Sequence, residues 1–212
     1  MITIAISKGR MQEDALALLA KAGVRLAPRA LASRKLALPD ETGEYRFIFV
    51  KPADVPVYVE HGIADCGIVG RDILLESEAD VLLPLDLEIA RCRIVVAALD
   101  PTVIARSFGM LRIATKYVRI ATEHFGARGI PVEIIPLSGS VELAPALGLS
   151  DAIVDLVETG RTLRENGLSI VEVIRESTGL LVLNRASYQL KTGEVTRLTG
   201  ALSCAIEGVS IA

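Results

Sequence analysis

The chain has 212 residues, 51% of them hydrophobic and only 4% aromatic, with no tryptophan and a formal net charge of -3. This length makes one large domain or two small lobes, able to bury roughly 70% of the unfolded surface in an aliphatic core. No basic stripe or run of like charge occurs, which excludes a non-specific nucleic-acid binder, and no stretch of about 18 uncharged apolar residues exists to cross a membrane. The start, MITIAISKGR, lacks the charged and long apolar regions of a secretory signal, so a soluble, intracellular protein is expected. Three widely spaced cysteines, Cys66, Cys92 and Cys204, with no C-x-x-C pair, read as buried free thiols rather than disulfides or zinc ligands.

In chain order, Ile2–Ile6 reads as a strand, followed by the cationic turn Ser7-Lys8-Gly9-Arg10 and a helix over Met11–Ala22 that ends at Gly23. Cations at a helix N-terminus oppose its dipole, which favours a functional role for Lys8 and Arg10. Leu26–Leu38 interleaves Arg29, Arg34 and Lys35 with apolar residues. Tyr45–Val50 is a strand, and Lys51-Pro52-Ala53-Asp54 leads into a helix over Val57–His61 capped by Gly62. Cys66–Val69 is a strand turning through Gly70-Arg71-Asp72 into Ile73–Glu76. Val81–Leu87, Cys92–Leu99 and Arg112–Thr115 are strands, and Tyr117–Phe125 is a helix closing on Gly126. Val132–Pro136 is a strand before Ser138-Gly139-Ser140, which heads the helix carrying Glu142.

Both histidines, His61 and His124, fall in helix tails, where imidazole complements the C-terminal dipole; a histidine-based acid–base site is not expected. Gly62-Ile63-Ala64-Asp65 before one strand parallels Gly148-Leu149-Ser150-Asp151 before another, a short similarity that suggests two related halves or arises by chance. Beyond Ile170–Ile174 come Ser177-Thr178-Gly179, a strand over Leu180–Asn184, a polar stretch over 185–194 and an alternating tail over Thr199–Ile211. Alternating strands and helices favour open α/β sheets with buried parallel strands, whose ligands bind beyond the carboxyl ends.

The most informative stretch is Glu142–Leu163, ELAPALGLSDAIVDLVETGRTL. Ala152–Leu156 is a buried strand interrupted by Asp155, and Glu158-Thr159-Gly160-Arg161-Thr162 then turns into a short helix over Leu163–Asn166 closed by Gly167. A helix start offers unpaired amides and partial positive charge to an anion. Gly160 permits close approach, and the Thr159 and Thr162 hydroxyls add donors. Carboxylates at Asp155 and Glu158 would repel a phosphate but accept hydrogen bonds from sugar hydroxyls, so a phosphoribosyl group satisfies both. Taken alone, T-G-x-T is also compatible with an ordinary strand–turn–helix and a threonine cap.

The spacing of Glu142, Gly148, Ser150, Ile153, Asp155, Leu156, Thr159, Gly160, Thr162 and Leu163 resembles the signature of the ATP phosphoribosyltransferase family, and the Lys8-Gly9-Arg10 turn is similar to the family's N-terminal element. The resemblance implies two lobes like a type II periplasmic binding protein, with mixed open sheets and a cleft between them: residues 1–88 plus 180–212 as lobe I, and 89–179 as lobe II. It implies transfer of the phosphoribosyl group of phosphoribosyl pyrophosphate to N1 of ATP, with substrate-bound Mg2+. Asp155 and Glu142 would then hold the ribose, the loop Glu158, Thr159, Gly160, Arg161 and Thr162 the 5′-phosphate, and Lys8, Gly9, Arg10, Lys51 and Asp72 the ATP or pyrophosphate side. Lys51 stands where the family often carries arginine, which keeps the charge but loses the bidentate fork. The chain is similar to the short form, which implies a cytoplasmic homodimer within a hetero-oligomer containing a regulatory subunit like histidyl-tRNA synthetase. The rival expectations are a non-catalytic type II solute-binding protein, or a phosphoribosyltransferase acting on another base.

Overall fold

The computed structural model describes residues 1–27, 36–106 and 109–208. The readings that touch Arg29, Arg34 and Lys35, and the last residues of the tail, lie outside them. By contacts the chain divides into two compact units, Met1–Ala90 with Thr178 onward, and Arg91–Ser177. The boundaries expected from the resemblance were at 88 and 179.

The first unit opens with β1 (Ile2–Ser7) and α1 (Gln12–Lys21), then β2 (Ala37–Pro39), β3 (Tyr45–Val50), α2 (Asp54–Glu60), β4 (Cys66–Gly70), α3 (Arg71–Ser77) and β5 (Leu82–Asp86). The second unit follows with β6 (Cys92–Ala98), α4 (Val103–Arg106), β7 (Leu111–Thr115), α5 (Val118–Ala127), β8 (Val132–Pro136), α6 (Leu143–Ala146), β9 (Ala152–Val157), α7 (Arg161–Glu165) and β10 (Ser169–Ser177). The chain returns to the first unit as β11 (Gly179–Leu183), α8 (Arg185–Leu190) and α9 (Thr192–Glu207).

The first unit's sheet has the order β2-β3-β1-β4-β11-β5, and the second's β10-β6-β9-β7-β8. Among the described residues β3-β1-β4 and β9-β7-β8 are parallel; β2, β11, β5, β6 and β10 join antiparallel, so both sheets are mixed. β1 is fully buried because both its faces are covered. Ile2, Ile4 and Ile6 pack with Leu18 and Leu19 of α1 and Leu198 and Leu202 of α9, while Ala5 faces Val55 and Val59 of α2. In the second unit, Val95, Ala97, Ala114 and Ile153 form a core with Ala144 of α6 and Leu163 of α7.

Several stretches differ from the sequence reading, among them the short helix after Gly160, which spans Arg161–Glu165 rather than Leu163–Asn166. Within the tail where alternation was expected, the residues up to Glu207 are instead the end of a long helix, because Val195, Leu198 and Leu202 recur at helical spacing and are buried together. The polar stretch before it forms α8, capped by the Asn184 side chain accepting from the Ser187 amide (2.9 Å). Likewise α5 continues through Gly126 to Ala127, and the left-handed glycine that closes it is Gly129, at φ +66°.

The parallel between the halves has a structural counterpart. Asp65 accepts the Thr3 amide (2.8 Å) while its own amide donates to the Thr3 carbonyl (2.9 Å). Asp151 makes the same reciprocal pair with Arg112, at 2.8 Å each way. In each case the aspartate immediately precedes a strand (β4 or β9) and grips the neighbouring parallel strand (β1 or β7) one residue before their pairing begins. Gly62 and Gly148, at φ +70° and +73°, turn the chain into each clamp.

Candidate active site

In the second unit, β9, β7 and β8 run parallel, so their carboxyl ends share one edge. Asp155 sits near the end of β9 and is 9% exposed. Its Oδ1 accepts the amide of Leu156 (2.8 Å) and lies 3.5 Å from the ammonium of Lys116, the residue just past β7. Burial pushes the Asp155 carboxyl above its ordinary range; Lys116 and the Leu156 N–H pull it back without cancelling the rise, and the charge of Glu142 adds to it. Glu142 occupies the N-cap position of α6, after the Ser138-Gly139-Ser140 turn that follows β8.

The loop 158–162 leaves the end of the strand that carries Asp155. Glu158, Thr159, Arg161 and Thr162 are exposed. Gly160, at φ +72°, is the residue before α7, and a Cβ there would lie 3.2 Å from Arg164 Nη1 and 3.7 Å from Val157 Cγ1. The left-handed turn therefore selects glycine, and a side chain there would also crowd the Arg164 guanidinium. Arg164 Nη1 donates to the Thr159 carbonyl (3.1 Å), the Thr159 hydroxyl accepts the Arg161 amide (3.4 Å), and Arg161 pairs with Glu165 (2.7 Å).

The first unit has its own edge of parallel strand ends. Ser7 pairs with Val50, so Lys8 and Lys51 leave adjacent strands at the same level, and the Lys8 amide donates to the Val50 carbonyl (2.9 Å). Gly9 turns the chain at φ +95°, and Arg10 Nη1 donates to the Ala90 carbonyl (3.3 Å). Lys8, Arg10 and Lys51 are exposed. Asp72 is not: it is 5% exposed at the start of α3, with its carboxylate folded over Gly70, where a Cβ would come within 2.2 Å of Oδ1.

The structure thus brings Asp155, Glu142 and the 158–162 loop into one neighbourhood, and Lys8, Gly9, Arg10 and Lys51 onto one edge, with Asp72 buried at the end of the adjoining strand. Sequence reasoning missed Lys116. Its signal was present: β1, β3 and β7 are each followed within a residue by a lysine, and only the first two were singled out. The histidines are engaged elsewhere: His61 Nδ1 lies 3.1 Å from the Val57 carbonyl, and His124 pairs with Glu172 of β10 beside Arg128. Of the cysteines, Cys66 and Cys92 are buried and Cys204 half-buried, and none of the three is in a disulfide.

The chain is similar to known proteins along nearly all of its length. Residues 51–204 match the sequence profile of the family described as ATP phosphoribosyltransferase. An ATP phosphoribosyltransferase of Sorangium cellulosum is 48% identical over 207 residues, 98% of this chain and 97% of that one. One of Geobacillus kaustophilus is 50% identical over 206 residues, covering 97% and 99%. Among solved structures, the ATP phosphoribosyl transferase (HisG:HisZ) complex from Thermotoga maritima superposes with a TM-score of 0.84 at 38% identity, covering 98% of this chain and 100% of the matched chain. A more distant structure, Tv2483 bound to L-arginine, shares only the fold, with a TM-score of 0.57 at 16% identity, covering 98% of this chain and 85% of that one. The fold is the α/β, type II periplasmic-binding-protein-like one with two mixed sheets. With a family profile matched over most of the chain and relatives near half identity along nearly all of it, the chain belongs to the ATP phosphoribosyltransferase family.

Proposed function

We propose that the chain transfers the phosphoribosyl group of phosphoribosyl pyrophosphate to N1 of the adenine of ATP, giving phosphoribosyl-ATP and pyrophosphate, the first step of histidine biosynthesis. The observation that carries this reading is the pairing of a buried, charge-compensated carboxylate, Asp155, with the glycine-turned loop 158–162 leaving the same strand. Asp155 and Glu142 accept the ribose hydroxyls. The 5′-phosphate takes the amides of Glu158, Thr159, Gly160, Arg161 and Thr162 and the two threonine hydroxyls. As pyrophosphate departs, C1 of the ribose becomes electron-poor, and fixed negative charge nearby stabilises that state more than the ground state. Lys8, Gly9, Arg10 and Lys51 serve the pyrophosphate or ATP side, with buried Asp72 holding the turn after β4. A magnesium ion accompanying the substrate would be held mainly by phosphate oxygens and water, since it dehydrates reluctantly, and would offset charge on the departing pyrophosphate.

The chain acts in the cytoplasm as a homodimeric catalytic subunit that joins a regulatory subunit like histidyl-tRNA synthetase. Support comes from the Thermotoga maritima complex, whose description pairs HisG with HisZ and whose matched chain is covered end to end. The test mixes protein, ATP, phosphoribosyl pyrophosphate and Mg2+ and follows pyrophosphate release, with free purines in place of ATP as a control. Release with ATP alone supports the assignment. Release only with a free purine makes it a transferase for another base, and no release in the presence of the regulatory subunit makes it a binding protein. Full activity and histidine inhibition of the chain by itself would overturn the subunit assignment.

A further inference from the structure

We propose that Lys116 is a positioning residue for the transfer: its ammonium fixes Oδ1 of Asp155 and leaves Oδ2 to the ribose hydroxyls. The proposal rests on the assignment of Asp155 to the ribose made above. Lys116 is held from three sides. The Thr115 hydroxyl donates to the Val154 carbonyl (2.6 Å) and accepts the Tyr117 amide (2.8 Å), which stitches the end of β7 to β9 on either side of the lysine. Beneath the lysine lies the buried ring of Tyr117, whose centroid is 4.9 Å from Nζ, a cation–π distance. In front lies Asp155 Oδ1 at 3.5 Å, which also takes the Leu156 amide.

An ion pair between exposed groups contributes little to stability. Here the lysine side chain is 41% exposed but the aspartate only 12%, so the cation acts mainly on the charge of the acid. The groups around Asp155 are few: Lys116 from the end of β7, Glu142 from the head of α6, the Leu156 N–H from its own strand, and apolar Val95 opposite on β6. Without Lys116, Asp155 loses the cation that offsets its burial and the charge of Glu142. Asp155 then retains its proton to higher pH, and a protonated Asp155 is a poorer acceptor for sugar hydroxyls and a poorer stabiliser of positive charge at C1.

The experiment measures kcat/KM for phosphoribosyl pyrophosphate against pH on the full-length chain, with the regulatory subunit present, for the wild type, Lys116→Met, Lys116→Arg and Asp155→Asn. Each profile is read relative to its own plateau, and each variant is checked by thermal melting. Removing the cation disfavours the ionised acid, so the acidic limb of Lys116→Met moves up by about one pH unit, and Lys116→Arg brings it back. An unmoved limb in Lys116→Met, with Asp155→Asn crippled, overturns the role of Lys116 and leaves the ribose assignment standing. Wild-type turnover in Asp155→Asn overturns the ribose assignment and this inference with it.

Discussion

At the scale of single residues, Asp155 is a charge that the fold resists and the reaction needs. Because burial raises its folded pKa above that of the unfolded chain, the ionised form is disfavoured by folding. Where the acid is ionised in both states this lowers stability, and the penalty fades as pH falls through the folded pKa. Asp155→Asn keeps the shape and removes the charge. It should therefore raise the melting temperature while lowering kcat by roughly a hundredfold, with a smaller change in phosphoribosyl pyrophosphate affinity. Calorimetric melts and steady-state kinetics on the same preparation check both signs; a stabilised variant with wild-type turnover would remove Asp155 from the chemistry. Asp65 has the opposite sign. Burial pushes its carboxyl up, but Lys191, Ser187 and the Thr3 amide together outweigh that and hold it below its ordinary value. Its contribution is present above the unfolded carboxylate range and is lost as pH falls through the folded pKa. Asp65→Ala strands the Thr3 amide and the Ser187 hydroxyl in the interior and should cost about 2–3 kcal/mol in urea unfolding. Asp151→Ala should cost less, because its partner Arg112 is solvent-exposed.

At the scale of elements, the strand–turn–helix from β9 to α7 depends on one backbone conformation. Gly160 sits at φ +72°, and a left-handed conformation costs a residue bearing Cβ about 1–2 kcal/mol. The added carbon would also press on Arg164 Nη1, which braces the loop through the Thr159 carbonyl. Gly160→Ala should weaken phosphoribosyl pyrophosphate binding about tenfold, the equivalent of about 1.4 kcal/mol, and β-branched Gly160→Val should abolish the heat of binding in titration calorimetry. Unchanged affinity in the valine variant would place the phosphate elsewhere. This element was legible in the sequence because its signals are local: a short β-branched run, an acid near its end, then glycine between threonines. Tyr45–Val50 was legible to the residue for the same reason. The C-terminal helices were not, since Ala201, Ser203 and Ala205 alternate with Leu202, Cys204 and Ile206 as in a strand, and the stripe of Val195, Leu198 and Leu202 shows its purpose only once β1 supplies something to pack against. Lys116 was obscured in a similar way. A lysine after a strand is ordinary until the parallel register Thr115↔Val154 sets it beside Asp155, and register is a long-range property that no window of sequence contains.

At the scale of the whole molecule, chain connectivity and sheet topology make different demands on the two units. All five strands of the second sheet, β10-β6-β9-β7-β8, come from the continuous segment Arg91–Ser177, together with a core of Val95, Ala97, Ala114, Ile153 and Leu163. A segment of that size exceeds the length, about 40 residues, below which a core needs disulfides or metals. Produced alone, it should melt cooperatively. The first sheet has no such independence, because β11 lies between β4 and β5 and pairs with both. A fragment ending at Ala90 leaves β5 without its neighbour and exposes the edge of β4, and it should fail to fold and should aggregate. The remedy is written in the backbone at the crossovers. Gly179 accepts the Leu87 amide and donates to the Ile89 carbonyl, both at 2.9 Å, so the outgoing and returning strands already lie side by side. Joining Ala90 to Thr178 through a few glycines should therefore restore a cooperative melt to the first unit. Circular dichroism melts of the three polypeptides decide the matter: a cooperative transition in residues 1–90 alone, or its absence in 91–177, would show that foldability does not follow the sheets.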